Sequence, residues 1–212
     1  MRRRAASAAL ICGGILLIVA ALVLTLYNFW DDDRAEAASR DVLSQLEQYI
    51  EDQRKQHEME SDADDPAVEF IPDFILDPEI DMPTVEIEGY AYIGTIHFPS
   101  LELTLPVMDT WDYDRIAIAP CRYSGSVYQN DMILCGHNYT AHFGRLRYLS
   151  PGARVEFTDV DGNVFRYKVE EIEIIPGTAV EEMLAGDDWD LTLFTCTLSG
   201  QTRATLRCTL ID

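Results

Sequence analysis

Basic charge is what this sequence has least of. Lys and Arg number 16 against 37 Asp and Glu, a net charge of −21 over 212 residues. Nucleic-acid binding needs a basic patch that neutralises phosphates, so the balance argues against that class. It argues equally against a protein that lies flat on an anionic lipid surface. Cysteine is sparse and unclustered: Cys12, Cys121, Cys135, Cys196 and Cys208 form no CxxC pair, and no Cys/His group has zinc-ligand spacing. No repeat with a period of 20–50 residues is visible. Residues 1–30 hold no acid at all, and residues 34–60 hold neither Pro nor Gly.

The shortage of bases is uneven. Residues 1–30 carry three Arg, residues 31–88 carry 20 acids against four bases, and residues 89–212 carry 17 acids against nine bases. From Ala5 to Trp30 no residue is charged, and Leu, Ile, Val and Ala dominate. A bilayer needs roughly 20 apolar helical residues, so this run is long enough to span with some tilt. Arg2, Arg3 and Arg4 precede it; Tyr27, Phe29 and Trp30 sit at the level of an aromatic belt; Asp31, Asp32 and Asp33 follow. The positive side stays in the cytoplasm, which gives a tail at 1–4, a transmembrane anchor at 5–30 and an extracellular remainder. A cleaved signal peptide is the competing reading, with Ala35-Glu36-Ala37 as a cleavage-like site. The apolar core is longer than the usual ~7–15 residues of such a peptide, and three aspartates separate it from that site.

Residues 31–88 read as an acidic helical stalk followed by a Pro-rich linker. Val42, Leu46, Tyr49 and Ile50 recur at helical spacing, giving a narrow apolar stripe on an otherwise solvated stalk. Pro66, Pro72, Pro78 and Pro83 interrupt the rest, where isolated residues such as Phe70, Phe74 and Ile75 are too few to build a core. From Gly89 the pattern becomes mainly β. Short β-rich runs at 92–98, 101–107, 132–135, 155–158, 164–175, 191–196 and 205–211 are separated by Pro/Gly turns, with weak helical stretches at 112–117, 143–149 and 180–184. Asp161-Gly162-Asn163 between two alternating runs marks a hairpin. Many short strands with frequent turns predict a closed or nearly closed β-barrel.

Cys196 is the thiol whose neighbourhood differs. It ends the run Asp190–Cys196 and precedes a polar turn, where a side chain is both fixed and reachable. Cys12 lies in the apolar run, and Cys121, Cys135 and Cys208 have apolar neighbours that read as buried core thiols or a disulfide. A thiolate is the reactive form of cysteine, and a nearby cation favours it. Arg203 opens the next strand, so an antiparallel hairpin returns it beside Cys196, where fixed positive charge would stabilise an oxyanion. His137, after Ile133–Gly136, supplies a group that titrates in the range needed to protonate a leaving amine. These residues alone leave two readings open: a cysteine acyl-transfer enzyme, or strand-end residues without chemistry. His97 and His142 read as surface or strand-face residues, and Trp111 and Trp189 as core or groove-wall aromatics. Asp109, Asp112 and Asp114 are either a solvated turn or a loose set of calcium-type donors.

Taken together, Thr192-Leu193-Phe194-Thr195-Cys196, Arg203 and the upstream Gly136-His137 resemble the TLxTC…R and GH motifs of the sortases. The order His, Cys, Arg, the step from His137 to Cys196 and Gly94–Pro106 are also similar to that family. The resemblance covers roughly Gly89 to Asp212. It implies an eight-stranded sortase-type β-barrel preceded by one transmembrane helix, with Cys196 as nucleophile, His137 as acid and Arg203 as the oxyanion-side cation. Thr195 would line the same substrate groove. The implied reaction is cleavage of an LPxTG-like sorting signal through a thioacyl-enzyme. The protein would then be transferred to an amine of a peptidoglycan precursor or a pilin lysine, with no cofactor and no metal. Implied partners are surface proteins or pilins carrying a C-terminal sorting signal, and the membrane. Gly136-His137-Asn138 and Phe143–Leu146 look like class B members, whereas the brief helical stretch before the Cys strand does not. Asp77-Pro78 faintly resembles the lid motif of pilin-polymerising members. Arg207, of the same strand parity as Arg203, is the alternative cation. The rival readings are an L,D-transpeptidase-like enzyme, from whose SHGCxR pattern this chain departs at Thr195 and Ser199, and a tethered non-catalytic β-domain that binds envelope proteins.

Overall fold

The computed structural model describes residues 2–63, 71–184 and 189–211. Pro66, Phe70 and residues 185–188 of the stretch before the Cys strand lie outside the described residues. Helix α1 (Arg2–Ala63) is the first element, and contacts divide the chain into two compact units, Met1–Arg34 and Ala35–Asp212.

In the first unit the apolar run is helical, and from Ile11 to Trp30 its side chains stand in the open; Leu16, Leu17, Leu26 and Phe29 are 65–69% exposed. Burial within the protein therefore does not account for this stretch. It belongs to one helix long and apolar enough to cross a membrane.

Among the described residues the second unit is built on nine strands. They are β1 (Val85–Ile87), β2 (Tyr90–Phe98), β3 (Leu103–Met108), β4 (Cys121–Ser124), β5 (Met132–Gly136), β6 (Arg154–Asp159), β7 (Val164–Pro176), β8 (Leu191–Cys196) and β9 (Thr202–Leu210). Their order is β1-β2-β3-β4-β5-β8-β9-β7-β6, and an additional pairing of β2 with β6 closes strands β2 to β9 into an eight-stranded barrel with β1 as a further strand. Closure removes the exposed edges that open sheets must otherwise protect. The hairpin expected at Asp161-Gly162 joins β6 to β7. There the buried Asp159 carboxylate accepts hydrogen bonds from the backbone N–H groups of Asp161 and Asn163, and from Tyr128. Short helices α2 (Asp73–Leu76) and α3 (Val180–Leu184) and 3-10 segments at Pro99–Leu101 and Phe143–Tyr148 complete the described part of the unit; of residues 112–117, expected as weakly helical, 113–117 form turns.

Alternation along the strands sorts the side chains into two clusters. Ile96, Val107, Leu134, Phe157, Leu193 and Leu206 meet in the barrel interior. Their strand neighbours Ile133, Cys135 and Phe194 face the other way and pack with Val42, Leu46 and Ile50 of α1. The stripe expected on a solvated stalk is thus buried: Leu46 is 0% and Val42 2% exposed. The spacing of the stripe is legible in the sequence, but the surface that receives it is assembled from residues scattered between Ile87 and Phe194. Part of the linker also docks. Phe74 stacks on Tyr128 at 4.5 Å and meets Phe165 at 5.5 Å, and Met82 is buried in the interior cluster. The contacts that hold the barrel domain together therefore begin at Ala35 rather than at residue 89.

Leu46→Ala in the full chain is expected to lower stability by about 2–5 kcal/mol, the range for emptying a buried Leu site. Urea denaturation of the second unit checks this; an unchanged midpoint would mean that the helix does not pack on the barrel.

Candidate active site

The site is built by three adjacent strands. β5 pairs in parallel with β8, with Gly136 opposite Thr195, so His137, the next residue, comes level with Cys196. β8 pairs antiparallel with β9, and Cys196 lies opposite Arg203. Residues directly opposite on neighbouring strands project from the same face, and neighbouring strands lie about 4.8 Å apart. Imidazole, thiol and guanidinium are thus carried in one row at one end of the barrel. The loop 197–201 makes the return possible; Thr197 closes it, its backbone N–H donating to the Thr202 carbonyl at 3.0 Å.

Each member of the row is held by local packing. Gly136 has no side chain because the ring of Phe143 occupies that space; a Cβ there would stand 2.5 Å from Phe143 Cγ. The His137 ring stacks on Tyr139 with centroids 3.8 Å apart and planes 11° from parallel, which fixes its orientation at the strand end. The Arg203 guanidinium donates to the carbonyls of Gly200 at 3.0 Å and Thr202 at 3.1 Å. It also lies against Gly177, where a Cβ would come within 2.9 Å of Nη1.

Cys196 differs from the other cysteines of its unit in exposure. It is half-buried, whereas Cys121, Cys135 and Cys208 are buried and free of disulfides. Burial pushes the Cys135 and Cys208 thiols up to about 12 and raises that of Cys121 as well, which keeps all three in the unreactive form. Cys196 lines a pocket of about 320 Å³ with Thr195, Asn138, Arg147, Leu198 and Ser199 among its walls. His137 and Arg203 flank Cys196 in the row but do not line that pocket.

The two candidate cations separate by environment. Arg207 is 3% exposed, and its guanidinium is fully engaged. It donates to Glu173 at 3.0 Å, to Thr192 at 3.1 Å, and to the carbonyls of Met183 at 3.0 Å and Glu182 at 2.5 Å. That set ties the C-terminal end of α3 to the barrel wall, where a helix offers unpaired carbonyls and partial negative charge. Arg203 is half-buried and bound only to turn carbonyls. Arg207→Ala is therefore expected to cost about 3 kcal/mol of stability through its lost hydrogen bonds. Arg203→Ala should cost only about 1 kcal/mol, because the bonds it loses are to turn carbonyls that water can reach. Denaturant midpoints of the two variants check this, and equal losses would erase the distinction.

The remaining candidates fall outside the row. His142 is 0% exposed rather than on the surface. His97 sits on a strand face, its Nδ1 2.9 Å from Thr104 Oγ1. Asp109 pairs with Arg122, and Asp112 accepts from the backbone N–H and the guanidinium of Arg115, contacts that hold its carboxyl below the usual range. Trp111 stacks on Tyr123, which meets Phe194 edge-on. What sequence reasoning missed is Arg147: lying in a 3-10 segment expected only as weak helix, it gives no periodic signal that it lines the pocket.

A closed β-barrel with a reachable thiol at a strand end, level with an imidazole and opposite a guanidinium, is the framework of a cysteine transpeptidase. The sequence model described as "Sortase domain" matches residues 96–211, more than half of the chain, and the chain belongs to the sortase family. Solved structures agree in fold. Sortase A from Corynebacterium diphtheriae superposes with a TM-score of 0.53 at 21% identity, over 58% of this chain and 62% of that one. Sortase C1 from Streptococcus agalactiae gives 0.52 at 19% identity, over 69% and 79%. The Clostridium perfringens sortase D5 transpeptidase gives 0.51 at 18% identity, over 57% and 79%. These three are of types A, C and D, so the class B-like motif around His137 finds no counterpart among their names. The search of curated proteins returned no match.

At mildly alkaline pH an alkylating reagent should modify Cys196 in the folded barrel, with Cys121, Cys135 and Cys208 reacting only after denaturation. Peptide mapping reads the pattern, and native labelling of the buried three would contradict the burial described here.

Proposed function

We propose that this sortase is held in the membrane by α1, with its N-terminus in the cytoplasm and its barrel outside. There it transfers proteins bearing an LPxTG-like sorting signal to an amine of a peptidoglycan precursor or a pilin. The observation that carries the reading is the row of His137, Cys196 and Arg203 across β5, β8 and β9. The Cys196 thiol gives its proton to His137 as sulfur attacks the carbonyl carbon of the signal's threonine. Arg203 stabilises the negative charge that gathers on the carbonyl oxygen, and its planar fork suits that oxygen better than a point charge. The carbon–nitrogen bond breaks and the departing amine takes the proton from the imidazolium, leaving a thioester. The acceptor amine attacks that thioester, its proton passes to His137, and the thiolate leaves as the new amide forms. Thr195 borders the same pocket. The orientation is supported by Arg2, Arg3 and Arg4 before the apolar run and the aspartates after it.

Incubating the full chain with a sorting-peptide mimic is expected to give a covalent adduct by intact mass, lost in Cys196→Ala. His137→Ala, Arg203→Ala and Arg203→Lys should each abolish transfer while the melting profile stays close to that of wild type. Near-wild-type transfer in any one variant removes that residue from the mechanism. Failure of the wild type to form an adduct at any pH favours a non-catalytic binding domain.

A further inference from the structure

Cations are scarce in this chain, and most are committed to acids. From Ala35 onward, eight of the twelve Lys and Arg side chains have a carboxylate within 4.0 Å. Among the described residues, Arg145, Arg147, Arg154 and Arg203 have none. Arg145 is bound to the Leu101 carbonyl and Arg203 to turn carbonyls. Arg154 is exposed at the start of β6. Arg147 is the one of these four that lines the pocket shared with Cys196, and among the described lining residues it is the only charged one.

Arg147 is also held in place. Its guanidinium lies over the Tyr148 ring, 4.9 Å from the centroid, and Nη2 donates to the Tyr148 hydroxyl at 3.1 Å. Stacking on an aromatic face leaves the in-plane N–H groups of a guanidinium available, and restricting the side chain beforehand reduces the entropy lost on binding. Ile174, Leu198 and Ala204 supply apolar walls nearby. The chain carries a net charge of −21, yet among the described residues no carboxylate stands within 4.0 Å of this guanidinium.

We propose that Arg147 forms a carboxylate-binding subsite beside Cys196, so that the substrate seated in this pocket presents an acidic group there. The inference rests on the transpeptidase reading and narrows its substrate class. The carboxylate belongs either to an acidic residue of the sorting signal or to the amine acceptor close to its nucleophilic nitrogen. A guanidinium fork binds either in the same bidentate manner.

Full-length chain in detergent tests this in two arms. The first compares donor peptides that differ only by Glu against Gln within the signal. The second compares glycine with glycinamide as acceptor. In one arm wild type should prefer the acid by about tenfold in kcat/KM, the scale of a charge-assisted bidentate contact. The preference should shrink as salt is raised. Arg147→Gln should bring the ratio to about one, and Arg147→Glu should reverse it. The side chain is exposed, so both variants are expected to keep the wild-type melting profile. Equilibrium binding of the same peptides and acceptors to Cys196→Ala repeats both comparisons without turnover. Absence of any thioacyl-enzyme would overturn the transpeptidase reading, while the binding arm would still decide the subsite. Wild-type ratios near one in both arms, or an acid preference that survives Arg147→Glu, would overturn the proposal.

Discussion

Everything at the site depends on one parallel strand pairing. β5 and β8 are separated by more than fifty residues in sequence, and parallel neighbours need a long crossover; here it includes β6, β7 and α3. That pairing brings the end of β5 level with the end of β8, so His137 and Cys196 stand side by side. The tight antiparallel return to β9 then adds Arg203 opposite the thiol. Because side chains alternate with a period of two, a slip of one residue in either pairing would turn one member of the row to the other face. The interior packing of Leu134, Leu193 and Leu206 fixes the register against such a slip, since it would carry those residues out of the core.

The face that carries the row continues into the cluster under α1. Ile133, Cys135 and Phe194 precede His137 and Cys196 on the same strands and with the same parity, and they pack against Val42, Leu46 and Ile50. One surface of the barrel therefore does two jobs: its lower part is sealed by the helix, and its end is left open for chemistry. Burial suppresses ionisation of Cys121 and Cys135 in the sealed part, while Cys196 at the open end is only half-buried.

Legibility in the sequence follows the range of the interactions. The strands with clean alternation and flanking turns fall close to the expected runs, and Leu191–Cys196 coincides with its strand. β1 and β4 escaped notice because they are three and four residues long and lack enough alternation to register. The motif residues were legible individually, but their meeting depends on the β5–β8 pairing, which no local pattern encodes. Strand parity could not separate Arg203 from Arg207, since both face the same way. What separates them is burial and the carbonyls at the end of α3, which are tertiary facts. The stripe on α1 was legible as a stripe, while its burial was not, because a narrow stripe suits a solvated helix as well as a docked one. Arg147 was silent for a related reason: that it lines the pocket with Cys196 and has no carboxylate beside it among the described residues is something only three-dimensional structure displays.

The central claim, that thiol, imidazole and guanidinium serve one carbonyl, is tested most directly by a crystal structure of the chain covalently trapped with a sorting-signal mimic. The account predicts the mimic's carbonyl carbon bonded to Cys196 Sγ, with the His137 ring and the Arg203 guanidinium both within hydrogen-bonding reach of the trapped group. A mimic bonded to Cys196 with either side chain turned away and bound elsewhere, or one bonded to another cysteine, would contradict it.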